Sequence, residues 1–201
     1  KFTLQGTNTY LIGTGPRRIL IDTGSGVPSY ASHFQESLTK AGATEISDII
    51  CTHRHGDHIG GISQLLKSLR QSPLPTVHKR LTDRDSDPPT DYKCQHITNN
   101  QTFTTTGATL EAHYTPGHLD DHIVLHLPEE RSLFSGDNVL GQGTTVFEDL
   151  AQYMSSLESM LKLDHRRIYP GHGPVVEDGP GKLREYLRHR QVGVLEFYDK
   201  D

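Results

Sequence analysis

Six consecutive positions, His53-Arg54-His55-Gly56-Asp57-His58, hold three imidazoles and a carboxylate. Thirteen histidines in 201 residues make this the one compositional excess, and four of those six residues are metal-ligand types. His53 and His55 stand two apart in an extended segment, so their side chains point to one side. Asp57 and His58 follow Gly56, where the chain turns into a helix, and approach the same space from another direction. Nitrogen and carboxylate donors suit zinc and equally manganese or iron. One ion rarely takes four ligands from so short a run, which points to two ions sharing them.

Three further candidates follow strand-like runs beside a glycine: His118 after Pro116-Gly117, Asp137 after Ser135-Gly136, and His172 after Pro170-Gly171. Glycine lets the backbone turn there without a Cβ clash. Seven ligands are enough for two ions with a bridging carboxylate and an open position on each. Asp22 either caps the following turn or orients a metal ligand. His33, His78, His96, His165 and His189 are read as surface or satisfied core residues. His113 and His126 lie in strand-like runs and are read as packing or as support for ligands. Cys51 is read as a buried strand thiol.

The elements that must position these groups alternate along the chain. Thr9–Gly13, Arg18–Ile21, Ile46–Thr52, Ala108–Tyr114, Ile123–Leu127, Ser132–Phe134 and Ile168–Tyr169 read as strands. Tyr30–Ala41, Ile59–Leu69 and Leu150–Leu163 read as helices, the last with Glu148-Asp149 at its positive end. A basic helix starts near Leu183 and gives way around Val192-Gly193. Lys79 to Tyr92 reads as an exposed polar loop. The pattern predicts an α/β domain with sheets inside and helices outside.

The 201 residues suit one domain, and no apolar run reaches the roughly 20 residues of a membrane span. The net charge of -5 argues mildly against wholesale nucleic-acid binding, although Arg17-Arg18, Lys79-Arg80 and Lys182 to Arg190 are basic patches. Two cysteines make no disulfide framework and fit a reducing compartment. The chain opens at Lys1 without Met, so a leading segment is expected to be missing.

On these residues the sequence resembles the metallo-β-lactamase superfamily. Its His-x-His-x-Asp-His signature falls on His53 to His58, and its later ligands match His118, Asp137 and His172. The resemblance extends through Gly6 to Leu11, Ile21 to Gly24 and Gly143 to Asp149, nearly the whole chain. It implies an αββα four-layer sandwich over residues 1–201, with a C-terminal helical extension starting at about 180. It also implies that His53, His55 and His118 bind one metal, that Asp57, His58 and His172 bind the other, and that Asp137 bridges. The ions are Zn2+ first and Mn2+ second.

The wider motifs look most like a branch with two activities. Fungal thioesterases of that branch release polyketides from an acyl carrier protein, and animal mitochondrial endoribonucleases cleave RNA. The resemblance favours the thioesterase, in a cytoplasmic setting, with Asp57 orienting the nucleophile or accepting its proton. RNA cleavage, in the mitochondrial matrix, is the alternative, and a glyoxalase-type thioester hydrolase is a third. A silent metal-binding scaffold would be marked by lost ligands, and none is lost. Arg54 and Leu119 depart from residues frequent in relatives, and both are expected to line the substrate entrance.

Overall fold

The computed structural model describes residues 6–83 and 91–198, with side chains through residue 191. Alternation along its strands sets the layers. In β2 (Arg17–Ile21), Ile19 and Ile21 point into one core while Leu20 points into another. In β8 (Ile123–Leu127), Ile123, Leu125 and Leu127 face inward and Val124 faces outward. Two-residue periodicity with both faces apolar is what a sheet covered on both sides requires.

The first sheet runs in the order β1 (Tyr10–Ile12), β2, β3 (Glu45–Ile50), β4 (Thr76–Lys79), β5 (Cys94–His96). β1 and β2 pair antiparallel, and the other pairs are parallel. The second sheet places β10 (Arg167–Pro170) beside β9 (Ser132–Gly136), then β8, β7 (Ala108–Tyr114) and β6 (Thr102–Thr105). Here only the β9–β10 pair is parallel.

Between the sheets lies a core that includes Ile19, Ile50, Leu110, Leu125 and Phe134. Phe34 and Leu38 of α1 (Tyr30–Lys40) and Ile62 and Leu65 of α3 (Ile62–Ser68) cover the first sheet's outer face. Tyr153, Leu157 and Met160 of α4 (Leu150–Leu161), with Leu183 and Tyr186 of α5 (Gly179–Tyr198), cover the second. The layers are therefore αββα. Among the described residues, no helix is long and apolar enough to cross a membrane.

Several expectations are corrected. The helix expected over Ile59–Leu69 is two pieces, α2 (Gly56–Ile59) and α3, parted at Gly60-Gly61. A Cβ on Gly61 would lie 2.1 Å from the Thr23 carbonyl oxygen, so the chain must bend around the residue 23–26 loop. Strands β4, β5 and β6 had not been predicted, because they are short and carry polar residues. Lys79 belongs to β4 and is buried, not in an exposed loop; the Asp85 to Pro89 part of that loop lies outside the described residues. The last helix continues past Gly193 to Tyr198. Asp149 caps α4 as expected, its side chain accepting from Gln152 N.

Candidate metal centre

β7 and β9 run in the same direction, each antiparallel to β8, and β10 is parallel to β9. Their carboxyl ends therefore open at one edge, where His118 follows β7, Asp137 follows β9 and His172 follows β10. β3 of the first sheet delivers His53 and His55 to that edge, and α2 carries Asp57 and His58. The structure brings all seven predicted residues together, in two groups.

In the first group His53 Nε2 lies 3.0 Å from His55 Nδ1, and His118 Nε2 lies 3.2 Å from the same atom. Asp137 Oδ2 is 3.9 Å from His53 Nε2 and 3.8 Å from His118 Nε2. In the second, His172 Nε2 lies 3.2 Å from Asp57 Oδ2 and 3.3 Å from Asp137 Oδ2. His58 Nε2 lies 3.3 Å from Asp137 Oδ1 and 3.6 Å from Asp57 Oδ2. Metal–ligand bonds of about 2.1 Å in a tetrahedron put ligand atoms about 3.4 Å apart, so both groups have the right size.

The outward nitrogens settle which atoms face in. His118 Nδ1 donates to Val146 O (2.6 Å), His172 Nδ1 to Gly6 O (2.9 Å) and His58 Nδ1 to Asp22 Oδ2 (2.7 Å). Carbonyls and carboxylates only accept, so these rings turn their Nε2 atoms toward the centre, the usual support of metal-ligating histidines. His58 Nε2 and Asp137 Oδ1 are buried with no hydrogen-bond partner. Such orphaned atoms are rare in native proteins, and divalent ions would satisfy both. The residues fit two metals.

Charge differs between the two groups: the pKa values of His53 and His118 in the first are lowered, and those of His58 and His172 in the second are raised. Burial and neighbouring imidazoles push His53 well below its ordinary value, and burial pulls His118 down. Burial alone would lower His58, but the Asp22 and Asp137 carboxylates outweigh it and raise His58 to about 10. Burial would raise Asp137, yet the His172 and His58 imidazoles, each 3.3 Å away, hold its carboxyl far below the carboxylate range. The Asp137 carboxylate is thus held ionised, as a metal ligand must be.

Close packing leaves no room for side chains at two glycines. A Cβ on Gly171 would lie 2.5 Å from Asp137 Oδ1, and one on Gly136 (φ 49°) would lie 2.7 Å from His122 Nε2.

Asp22 resolves in favour of orienting ligands. Besides His58, it accepts from Thr52 N and Thr52 Oγ1, both at 2.8 Å. His122 was missed in the sequence because it stands just before a strand-like run, away from the glycine-flanked pattern of the other candidates. It is fully buried, and its Nε2 accepts from Asp137 N (3.1 Å). Thr7, whose Oγ1 donates to Asp57 Oδ2 (3.0 Å), was legible only within the matched stretch from Gly6 to Leu11. His113 and His126 do not support the centre: they lie on the outer face of the second sheet. Leu119 is buried and does not line an open entrance. Arg54 is partly exposed and paired with Asp120, Asp121 and Glu148. Cys51 is buried, and its thiol is pushed well up by desolvation, as a packing residue requires.

A sandwich opening at one edge onto paired His/Asp cages defines a metallohydrolase architecture. The Metallo-beta-lactamase superfamily pattern matches residues 2–172, and the chain belongs to that superfamily, a class of metal-dependent hydrolases. It is 46% identical over 204 residues to Beta-lactamase-like protein 2 homolog of Drosophila melanogaster, covering 98% of this chain and 69% of the relative. It is 48% identical over 201 residues to Lactamase-like protein nscB of Aspergillus fumigatus, covering 98% and 58%. With Lactamase-like protein aptB of Emericella nidulans it shares 44% over 195 residues, covering 97% and 60%. The chain thus spans roughly three-fifths of the length of these relatives. A metallo-beta-lactamase family protein from Thermus thermophilus superposes with a TM-score of 0.76 at 20% identity, covering 92% of this chain and 75% of that one. That likeness concerns the fold.

Proposed function

We propose that the chain hydrolyses an uncharged acyl thioester presented by an acyl carrier protein, using two divalent ions, zinc in the first instance. His53, His55 and His118 would hold one ion, and Asp57, His58 and His172 the other, with Asp137 lying between the two groups. Bound there, such ions supply a Lewis acid and a water whose pKa falls toward neutrality. Asp57, which also accepts from Thr7, orients the nucleophile or takes its proton. A thiolate leaves readily, so no strong acid is needed from the protein.

The observation that carries this reading over RNA cleavage is the state of Arg54. Between two candidate ligands in sequence and partly exposed, it is engaged by three carboxylates. A phosphodiester substrate needs uncompensated cations along its path. Two other basic patches are also partly withdrawn: Arg18 is buried and donates to Ala41 O, and Lys79 is buried beside Asp121. An exposed Val146 lies beside His118 instead, apolar surface suited to an acyl chain. The likeness to the fungal proteins named Lactamase-like protein nscB and Lactamase-like protein aptB is in keeping with this reading.

Metal-loaded protein assayed side by side on acyl-carrier thioesters and single-stranded RNA tests the proposal. Thioester hydrolysis, lost in Asp137→Ala, is expected; cleavage of RNA alone would overturn it.

A further inference from the structure

On the outer face of the second sheet, on the strand that leads to His118, Glu111 and His113 stand two apart on β7. Both side chains therefore leave the same face. His126 on β8 is the direct cross-strand partner of Glu111. One ligand atom from each residue lies within 4.8 Å of the others. His126 Nδ1 is 3.5 Å from Glu111 Oε2, and His113 Nε2 is 3.8 Å from that same oxygen. These separations approach the edge of about 3.4 Å expected around a tetrahedral zinc-like ion.

Two independent features of the cluster call for a cation. His126 Nε2 bonds to Asp164 O at 2.9 Å, and a carbonyl only accepts, so Nε2 carries the proton. Nδ1 then faces Glu111 Oε2 at 3.5 Å, well beyond the roughly 2.7–2.9 Å of a charge-assisted hydrogen bond. His113 Nε2 is buried and has no hydrogen-bond partner at all. Burial also lowers the His113 pKa, which keeps that nitrogen free to coordinate.

We propose that Glu111, His113 and His126 form a further metal site, separate from the hydrolytic centre, for a divalent transition ion of the zinc type. Two imidazoles and one carboxylate select such an ion over magnesium or calcium. Side-chain exposures of 39%, 21% and 9% for Glu111, His113 and His126 leave a water-accessible side for remaining ligands. The ion would clip β7 to β8 and, through His126, to the turn after α4 that holds Asp164.

Equilibrium dialysis against Zn2+, with bound zinc counted per chain, tests the site. His113→Gln and Glu111→Gln are each expected to hold one ion fewer than the unaltered chain at saturation. Their melting temperatures after chelation should match that of the unaltered chain. Because the readout is a difference, it does not depend on how many ions the hydrolytic centre holds. If His113→Gln fails to fold, Glu111→Gln, which changes a partly exposed surface side chain, decides alone. If a proton on His126 bridges the pair instead, neither variant changes the zinc count, and the proposal is overturned.

Discussion

Asp22 Oδ2 accepts from His58 Nδ1 at 2.7 Å while the backbone of Asp22 sits in the left-handed region at φ 56°. The carboxylate also accepts from both donors of Thr52, so one buried residue ties β2, the end of β3 and α2 together. Positive φ is uncommon for a non-glycine residue, and Asp is among the residues that tolerate it.

Asp22→Asn should expose this role. An amide offers one acceptor oxygen in place of two, so either Thr52 or His58 meets a donor. The ion held through His58 should bind about 10–100-fold more weakly, the usual cost of losing a ligand's support. Zinc titration against a competing chelator measures it, with binding at the His53 group as the internal control. Unchanged affinity at both would sink the role.

Gly171→Ala places a methyl group against Asp137 and His58. Overpacking of this kind costs about 1–3 kcal/mol, and Asp137 cannot retreat without leaving both groups. At roughly 2–4 °C per kcal/mol for a chain of this size, a lower melting temperature and reduced zinc content are expected together. Calorimetry and metal analysis check the pair.

Arg190 reaches from α5 to the loop that supports His118. Its guanidinium donates to Thr145 O at 2.6 Å and lies 4.9 Å from the centre of the Phe147 ring, while Val146 O accepts from His118 Nδ1. Arg190→Met keeps the aliphatic stem but removes a charged hydrogen bond worth about 1.5–3 kcal/mol. Turnover should fall several-fold while binding at the Asp57, His58 and His172 group stays constant. Equal loss at both groups would argue for general unfolding instead.

Acid stability should respond to Asp48. Burial raises its pKa, but the hydrogen bond from His78 (2.8 Å) and one from Ser47 lower it below the ordinary 3.8. A depressed folded value means the contribution is complete above pH 3.8 and disappears as pH falls through the folded value. Asp48→Asn should flatten the acid limb of a melting-temperature profile by on the order of 1 kcal/mol, and leave its alkaline limb unchanged.

Much of the centre was legible before any fold. The spacing of His53 to His58 and the glycine-flanked His118, Asp137 and His172 carry their chemistry in residue type, and all seven meet. Asp22 was open between two roles until its three accepted hydrogen bonds were seen. His122 was overlooked because a lone histidine before a strand-like run signals nothing until its partner, the Asp137 amide, is known.

The sequence by itself determined the ligand inventory, the two-faced apolar strands and hence the layered α/β architecture, because these follow from side-chain chemistry and short-range periodicity. Only the tertiary structure decided which carboxylate each histidine faces, that Arg54 is matched by acidic neighbours, and that Glu111, His113 and His126 converge. Each of those depends on strand register and sheet stacking, which bring together atoms many residues apart and which no local spacing encodes.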